Sequence, residues 1–169
     1  VSGFEGISLF ADLDPGEIEA VRPLFTRREV PAATRIIAEG ETGSEMFVLV
    51  AGSVRVVKSM VLPGIAPEAL AGKEPSKVLA HLTGDDAPFF GEMGLVSDAP
   101  RSATVETQEP CIFLVTDRER LFKLVRARPE TGCKLLAALC GRLAHMVRTS
   151  NAEVVKLTTA LAILLAGRS

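Results

Sequence analysis

The chain has 169 residues, with 19 Lys and Arg against 21 Asp and Glu, a net charge of −2 and an isoelectric point near 5.8. That length holds one core plus an appendage, and the nearly balanced charge argues against a dedicated nucleic-acid binder. The longest wholly apolar stretch near the C-terminus, residues 160–166, is far short of the roughly 20 residues that span a bilayer. No basic segment precedes an apolar run at the N-terminus, so neither a membrane association nor a signal peptide is expected. The first residue is Val, which suggests a start lost in processing or cloning. Cys111, Cys133 and Cys140 lack C-x-x-C spacing and a fourth metal ligand, so they read as small hydrophobes in a reducing, cytoplasmic setting.

Leu13-Asp14-Pro15-Gly16-Glu17-Ile18 predicts a helix start. Asp14 is the N-cap, Pro15 takes the first helical position and Glu17 closes a capping box, with Leu13 and Ile18 as the staple. The helix is expected to run to about Leu24, with Ile18, Val21 and Leu24 or Phe25 inward.

Residues 28–115 change to short β-type runs divided by Gly and Pro, at 35–38, 46–50, 53–58, 77–82, 101–107 and 110–116. Gly52 stands where a hairpin turn needs a positive φ. Many short strands with no helices between them predict an antiparallel barrel or sandwich. Residues 60–76 contain Pro63, Gly64, Pro67, Gly72 and Pro75 and read as a long loop.

Helices return at Thr116-Asp117-Arg118-Glu119, a second capping box with Leu121, Leu124 and Val125 as its buried stripe. Pro129 opens the last segment, where Leu136, Cys140, Leu143, Val147, Ser150, Val154, Leu157, Leu161 and Leu164 follow strict 4-3 spacing. This is a coiled-coil seam with one polar break. About 35 residues at ~1.5 Å each make a helix longer than a small barrel can cover, so part of the stripe should meet a second copy. The expected division is 1–128, a barrel with its helices, and 129–169, a dimerisation helix.

Phe89-Phe90-Gly91-Glu92-Met93-Gly94-Leu95-Val96 reads as a tight turn opening a very short helix. Backbone N–H groups at such a start suit a phosphate. Arg101 enters the run that follows and wants an anionic partner. On spacing alone that partner is Glu92, Asp98 or an external anion. His81 and His145 have no nucleophile or carboxylate constellation around them, so an enzyme is not expected, and no metal or catalytic residue is proposed.

The segment F-G-E-M-G-L-V-S-D-A-P-R-S-A-T-V, from Phe90 to Val105, closely resembles the phosphate-binding cassette of the cyclic nucleotide-binding domain family, which includes the bacterial catabolite activator proteins. Ile37 to Gly43, Met46 to Leu49 and Gly52 to Val56 are similar to its early strands, and the resemblance covers residues 9–157. It implies an antiparallel β jelly-roll barrel with flanking helices and a long C-terminal dimerisation helix. It also implies a cyclic nucleotide ligand, cAMP or cGMP, and no other cofactor. Arg101 would hold the exocyclic phosphate oxygens, with Ser102 and the amide of Ala103 completing those contacts. Glu92 would accept from the ribose 2′-hydroxyl, with Phe90, Gly91 and Met93 lining the sugar. Thr149, Ser150 and Asn151 match the stretch that touches the purine. Ser102 stands where some cGMP-selective members carry Thr, which favours cAMP.

Two departures bear on the rim: the approach at 84–89 is about two residues longer than the family habit, and the 60–76 loop is longer still. Bacterial members usually continue into a helix-turn-helix domain, and this chain ends at Ser169, just beyond where that domain would begin. Three functions follow from this reading. The first is a homodimeric cyclic nucleotide sensor that binds no nucleic acid by itself. The others are a ligand-free docking module and the sensor half of a truncated transcriptional regulator.

Overall fold

The computed structural model describes residues 4, 6–60, 76–97 and 99–167. Its eight strands are β1 (Thr26–Val30), β2 (Arg35–Ile37), β3 (Glu45–Ala51), β4 (Ser53–Ser59), β5 (Ser76–Thr83), β6 (Phe89–Phe90), β7 (Thr104–Thr107) and β8 (Cys111–Asp117). The helices among the described residues are α1 (Pro15–Val21), α2 (Glu92–Val96), α3 (Arg118–Ala127) and α4 (Pro129–Ala166). One antiparallel sheet runs β1-β8-β3-β6 and the other β2-β7-β4-β5. This is the expected jelly roll, built as two facing sheets.

Period-two alternation divides the apolar side chains into two cores. Phe47 and Leu49 of β3, Phe90 of β6 and Phe113 of β8 point between the sheets and meet Val54 and Val105 from the opposite sheet. Phe47 stacks on Phe90 at 5.7 Å, and Phe113 meets Phe47 edge-on at 5.8 Å. Met46, Val48 and Phe89 project from the other face of the same sheet, where Leu95, Leu121, Leu124, Leu135 and Leu139 of the helices cover them. The first turns of α4 therefore belong to the globular core. Beyond Met146 the helix is exposed.

Several local expectations are corrected by tertiary structure. α1 ends at Val21, and a single 3-10 turn carries on to Leu24, because Pro23 offers no N–H and disfavours helical geometry before it. Gly52 has φ +90°, but β3 and β4 lie in different sheets, so the turn is a crossing and not a hairpin. A Cβ there would lie 2.6 Å from the Pro110 carbonyl oxygen. The cap of α3 is Asp117, which accepts from the Arg120 amide at 2.9 Å, while Thr116 is a buried residue of β8. Strand β7 begins only at Thr104, leaving Arg101 to Ala103 as a connecting turn. The longer approach at 84–89 is taken up by a 3-10 turn, Gly84–Asp86, and a left-handed Ala87. The loop read at 60–76 falls almost wholly outside the described residues.

Glu17 joins the two ends of the fold. Its amide donates to the Asp14 carboxylate at 2.8 Å while its own carboxylate accepts from the Asp14 amide at 2.9 Å, completing the capping box. That carboxylate also accepts from Lys134 Nζ at 2.7 Å and Thr131 Oγ1 at 3.1 Å, clamping α1 onto α4. Lys134, followed by the Asp14 amide, holds the Glu17 carboxyl below its ordinary 4.5, against the opposing effect of burial. A depressed carboxylate contributes stability that is complete above the ordinary pKa and is lost as pH falls through the lowered one. Glu17→Gln is therefore expected to lower the urea midpoint at neutral pH, with the gap to wild type closing on acidification.

Candidate functional site

The row Ile37, Val105, Val56 and Ala80 runs in register across β2, β7, β4 and β5 on the inner face of the second sheet. These four residues floor a cavity of about 200 Å³. α2 and the turn at Arg101 to Ala103 form one side of it, and Arg142 and Met146 of α4 lie over it. The adjoining row, Glu106, Arg55 and His81 with Arg35 brought opposite Glu106 by a register shift in β2, lies on the outer face. There Glu106 pairs with Arg55 at 2.7 Å and Arg35 at 3.5 Å, so the sheet's other charges stay out of the cavity.

Arg101 is fixed through both its main chain and its side chain. Its amide donates to the Glu41 carbonyl, and its carbonyl accepts from the Gly40 amide, each at 2.9 Å. Nη1 donates to the Gly91 carbonyl at 3.1 Å and Nη2 to the Glu45 carbonyl at 2.8 Å. Glycines make room for the guanidinium: a Cβ at Gly94 would stand 2.7 Å from Nη1, and one at Gly43 would stand 3.0 Å from Nη2. Among the described residues no carboxylate forms an ion pair with Arg101, so the pairing with Glu92 that spacing allows is not made. Asp98 lies outside the described residues. Burial pushes the Arg101 guanidinium below the usual arginine range, with Glu45 and Glu92 opposing. Arginine keeps its proton throughout, so the cavity holds a half-buried cation whose hydrogen bonds go to neutral carbonyls.

Glu92 is 3% exposed. Burial raises its carboxyl above the ordinary value, while its own amide, Arg142 and Arg101 pull the other way. Gly91, with φ +84°, makes the turn from β6 into α2 that places this side chain inside. Lys58 Nζ donates to the Ser102 carbonyl at 2.6 Å and to Glu39 at 2.9 Å, anchoring the turn after Arg101 to β4. Arg142 lies over the Phe89 ring at 5.9 Å, and its Nε is buried without a hydrogen-bond partner among the described residues.

Phe90, Gly91, Glu92, Met93, Arg101, Ser102 and Ala103 all line this cavity. Thr149, Ser150 and Asn151 do not; they are exposed on α4, past the last lining residue, Met146. Arg142 and Met146 escaped the sequence reading although a signal exists. Leu135, Leu139, Arg142 and Met146 form a second 4-3-4 stripe beside the heptad seam, and this stripe packs on the chain's own sheet.

Among the described residues Arg101 has no paired carboxylate, and with the buried Glu92 carboxyl beside it the arrangement can take an anionic ligand that also carries hydroxyls. The sequence profile described as "Cyclic nucleotide-binding domain" matches residues 27–128. The chain belongs to this family. It is 30% identical over 139 residues to the "Cyclic AMP receptor protein" of Thermus thermophilus, an alignment covering 82% of this chain and 58% of that protein. It is also 30% identical over 149 residues to "Glutaminase 2" of Bradyrhizobium diazoefficiens, covering 87% of this chain and 21% of that protein. The fold superposes on the Thermus thermophilus catabolite activator protein with a TM-score of 0.74 at 26% identity, covering 89% and 63% of the two chains. The chain thus spans little more than half the length of the first relative and about a fifth of the second. Among the described residues, no helix is long and apolar enough to cross a membrane.

A raised carboxyl pKa means that the folded state disfavours ionised Glu92, so its burden on stability is present at neutral pH and is relieved as pH falls through the raised value. Glu92→Gln is expected to raise the urea midpoint of the unliganded protein at neutral pH, with the difference shrinking toward acid. If the variant is no more stable than wild type at neutral pH, the carboxyl is not held at this cost.

Proposed function

We propose that this chain is the sensor unit of a signalling protein, binding a cyclic nucleotide without chemically converting it, with cAMP favoured over cGMP. The observation that carries this reading is Arg101, a half-buried guanidinium facing a cavity, with no carboxylate paired to it among the described residues. A single phosphate charge complements it, and a bidentate guanidinium–phosphate pair is among the strongest hydrogen-bonded pairings. In this reading Arg101, Ser102 and the Ala103 amide hold the phosphate. Glu92 accepts from the ribose 2′-hydroxyl, and Phe90, Gly91 and Met93 shape the sugar site. The Cyclic AMP receptor protein among the relatives supports cAMP as the first ligand to try.

The seam of α4 supports a homodimer. Val147, Val154, Leu157, Leu161 and Leu164 are 56–68% exposed in the single chain. The stripe places Cys140, Val147, Val154 and Leu161 at one set of heptad positions and Leu136, Leu143, Ser150, Leu157 and Leu164 at the other. β-Branched residues at a with Leu at d favour a parallel pair. Thr149, Ser150 and Asn151 then serve as contacts offered across the dimer. Residues 1–128 and 129–169 remain the sensing and pairing parts, with the first turns of α4 shared between them. Binding nucleic acid is assigned to neither part, and a cytoplasmic setting suits both.

Calorimetric titration with cAMP and cGMP is expected to show saturable binding that Arg101→Ala weakens at least about a hundredfold. Wild-type protein that takes up neither nucleotide would refute the reading and favour a ligand-free docking module. In sedimentation, wild type is expected to be dimeric at micromolar concentration and the double variant Val154→Glu/Leu161→Glu monomeric, with its cavity residues untouched. A monomeric wild type would remove the dimer.

A further inference from the structure

We propose that Lys58 is a positioning residue for the phosphate end of this pocket, holding the Ser102–Ala103 peptide at the angle the ligand needs. The proposal rests on the nucleotide-binding reading, in which Ser102 and the Ala103 amide meet the phosphate. Those two residues lie in the turn between Arg101 and β7, ahead of the first strand residue, Thr104. A short turn outside the strand ladders takes its shape from the contacts made to it by its neighbours.

The turn is held at its start, its middle and its end. At the start, the Arg101 amide and carbonyl are tied to Glu41 and Gly40. At the end, Thr104 Oγ1 accepts from the Glu39 amide at 3.0 Å. Between them, the Ser102 carbonyl accepts from Lys58 Nζ at 2.6 Å. Lys58 is itself braced, because its ammonium also donates to Glu39 at 2.9 Å. The other Glu39 oxygen accepts from the Ser59 amide at 2.8 Å, which fixes the carboxylate against the end of β4. The Ser59 amide, followed by Lys58, holds the Glu39 carboxyl below its ordinary 4.5, against the opposing effect of burial. The brace is therefore charged on both sides at neutral pH.

The middle contact sets more than the path of the chain. A peptide group is planar and trans, with its carbonyl and its N–H on opposite sides. Holding the Ser102 carbonyl therefore also sets the direction of the Ala103 N–H. A peptide released by Lys58 can turn about its flanking bonds and present the carbonyl oxygen where the N–H stood. An oxygen facing a phosphate repels it. The ammonium acts on the strength of the donor as well, since a charged group on the carbonyl polarises the peptide and its N–H. Neither effect needs Lys58 to touch the ligand.

The test is calorimetric titration of the full chain with cAMP and the two phosphorothioate diastereomers of cAMP, each with sulfur in place of one exocyclic oxygen. The two oxygens meet different donors, so wild type is expected to bind one diastereomer more tightly than the other. Lys58→Met, which keeps the stem and loses the donor, is expected to weaken cAMP about tenfold and to bring the diastereomers closer together. Lys58→Arg, which keeps a charged donor, is expected to recover most of that loss. Glu39→Gln leaves Lys58 in place but unbraced; it is expected to shift both readings the same way, and it decides the matter if Lys58→Met does not fold. A Lys58→Met protein that binds cAMP as wild type does, or that loses affinity with the diastereomer ratio unchanged, overturns the proposal and leaves the sensor role intact. So does a wild type that treats the two diastereomers alike. If wild type binds none of the three, the sensor role itself falls and takes the proposal with it.

Discussion

The site depends on one seat, the one that holds the Arg101 guanidinium. Two main-chain carbonyls, one from β3 and one from the turn into α2, accept its N–H groups, and its own amide and carbonyl are tied to the Glu41–Gly40 turn. A long flexible side chain loses considerable rotamer freedom when pinned. Here the main-chain partners supplied by the fold impose that ordering. The seat explains three glycines at once. Gly94 has no space for a Cβ beside the guanidinium, a Cβ at Gly43 would press on it at 3.0 Å, and Gly91 makes a left-handed turn against it.

The alternation of β3 and β6 lets this polar site exist beside two dry cores. One face of the first sheet is closed by phenylalanines between the sheets and the other by leucines from the helices. The cavity takes neither. It uses the inner row of the second sheet, whose charged neighbours are turned outward and neutralised around Glu106. Lining and core therefore draw on the same strand period. A one-residue slip in β4 or β7 would exchange Val56 or Val105 for Arg55 or Glu106 and fill the pocket with charge.

How far the sequence could be read depends on how local each signal was. The cassette, the Asp14 capping box and most strands are stretches whose residue types act within a few positions, and the structure has them. Strand β6 is two residues long and exists only because Phe47 and Val48 pair with it, which no local pattern announces. Gly52 shows its positive φ to a sequence reader, but which sheet the next strand joins is a tertiary decision. Thr116 and Asp117 are equally good caps on paper; burial of Thr116 in β8 decides between them. In the site, the cassette end was legible because its lining residues fall within one short stretch, Phe90 to Ala103. The α4 end was not. Two interleaved stripes run along that helix, and the heptad drew attention away from the one that carries Arg142 and Met146. The clamp of Glu17 on Lys134 and Thr131 joins distant segments and left no trace in either.

Under the proposed pairing, the bare outer half of α4 would make the protein's abundance part of its chemistry. If the chain pairs as proposed, association through Val154, Leu157, Leu161 and Leu164 rises with concentration by mass action. A ligand that prefers the paired form over the single one would bind more tightly when copies are plentiful, because pairing and occupancy then share one equilibrium. The response to a given nucleotide level would be set jointly by that level and by how much of the chain has been made, so gene dosage would shift the threshold with no residue in the pocket altered.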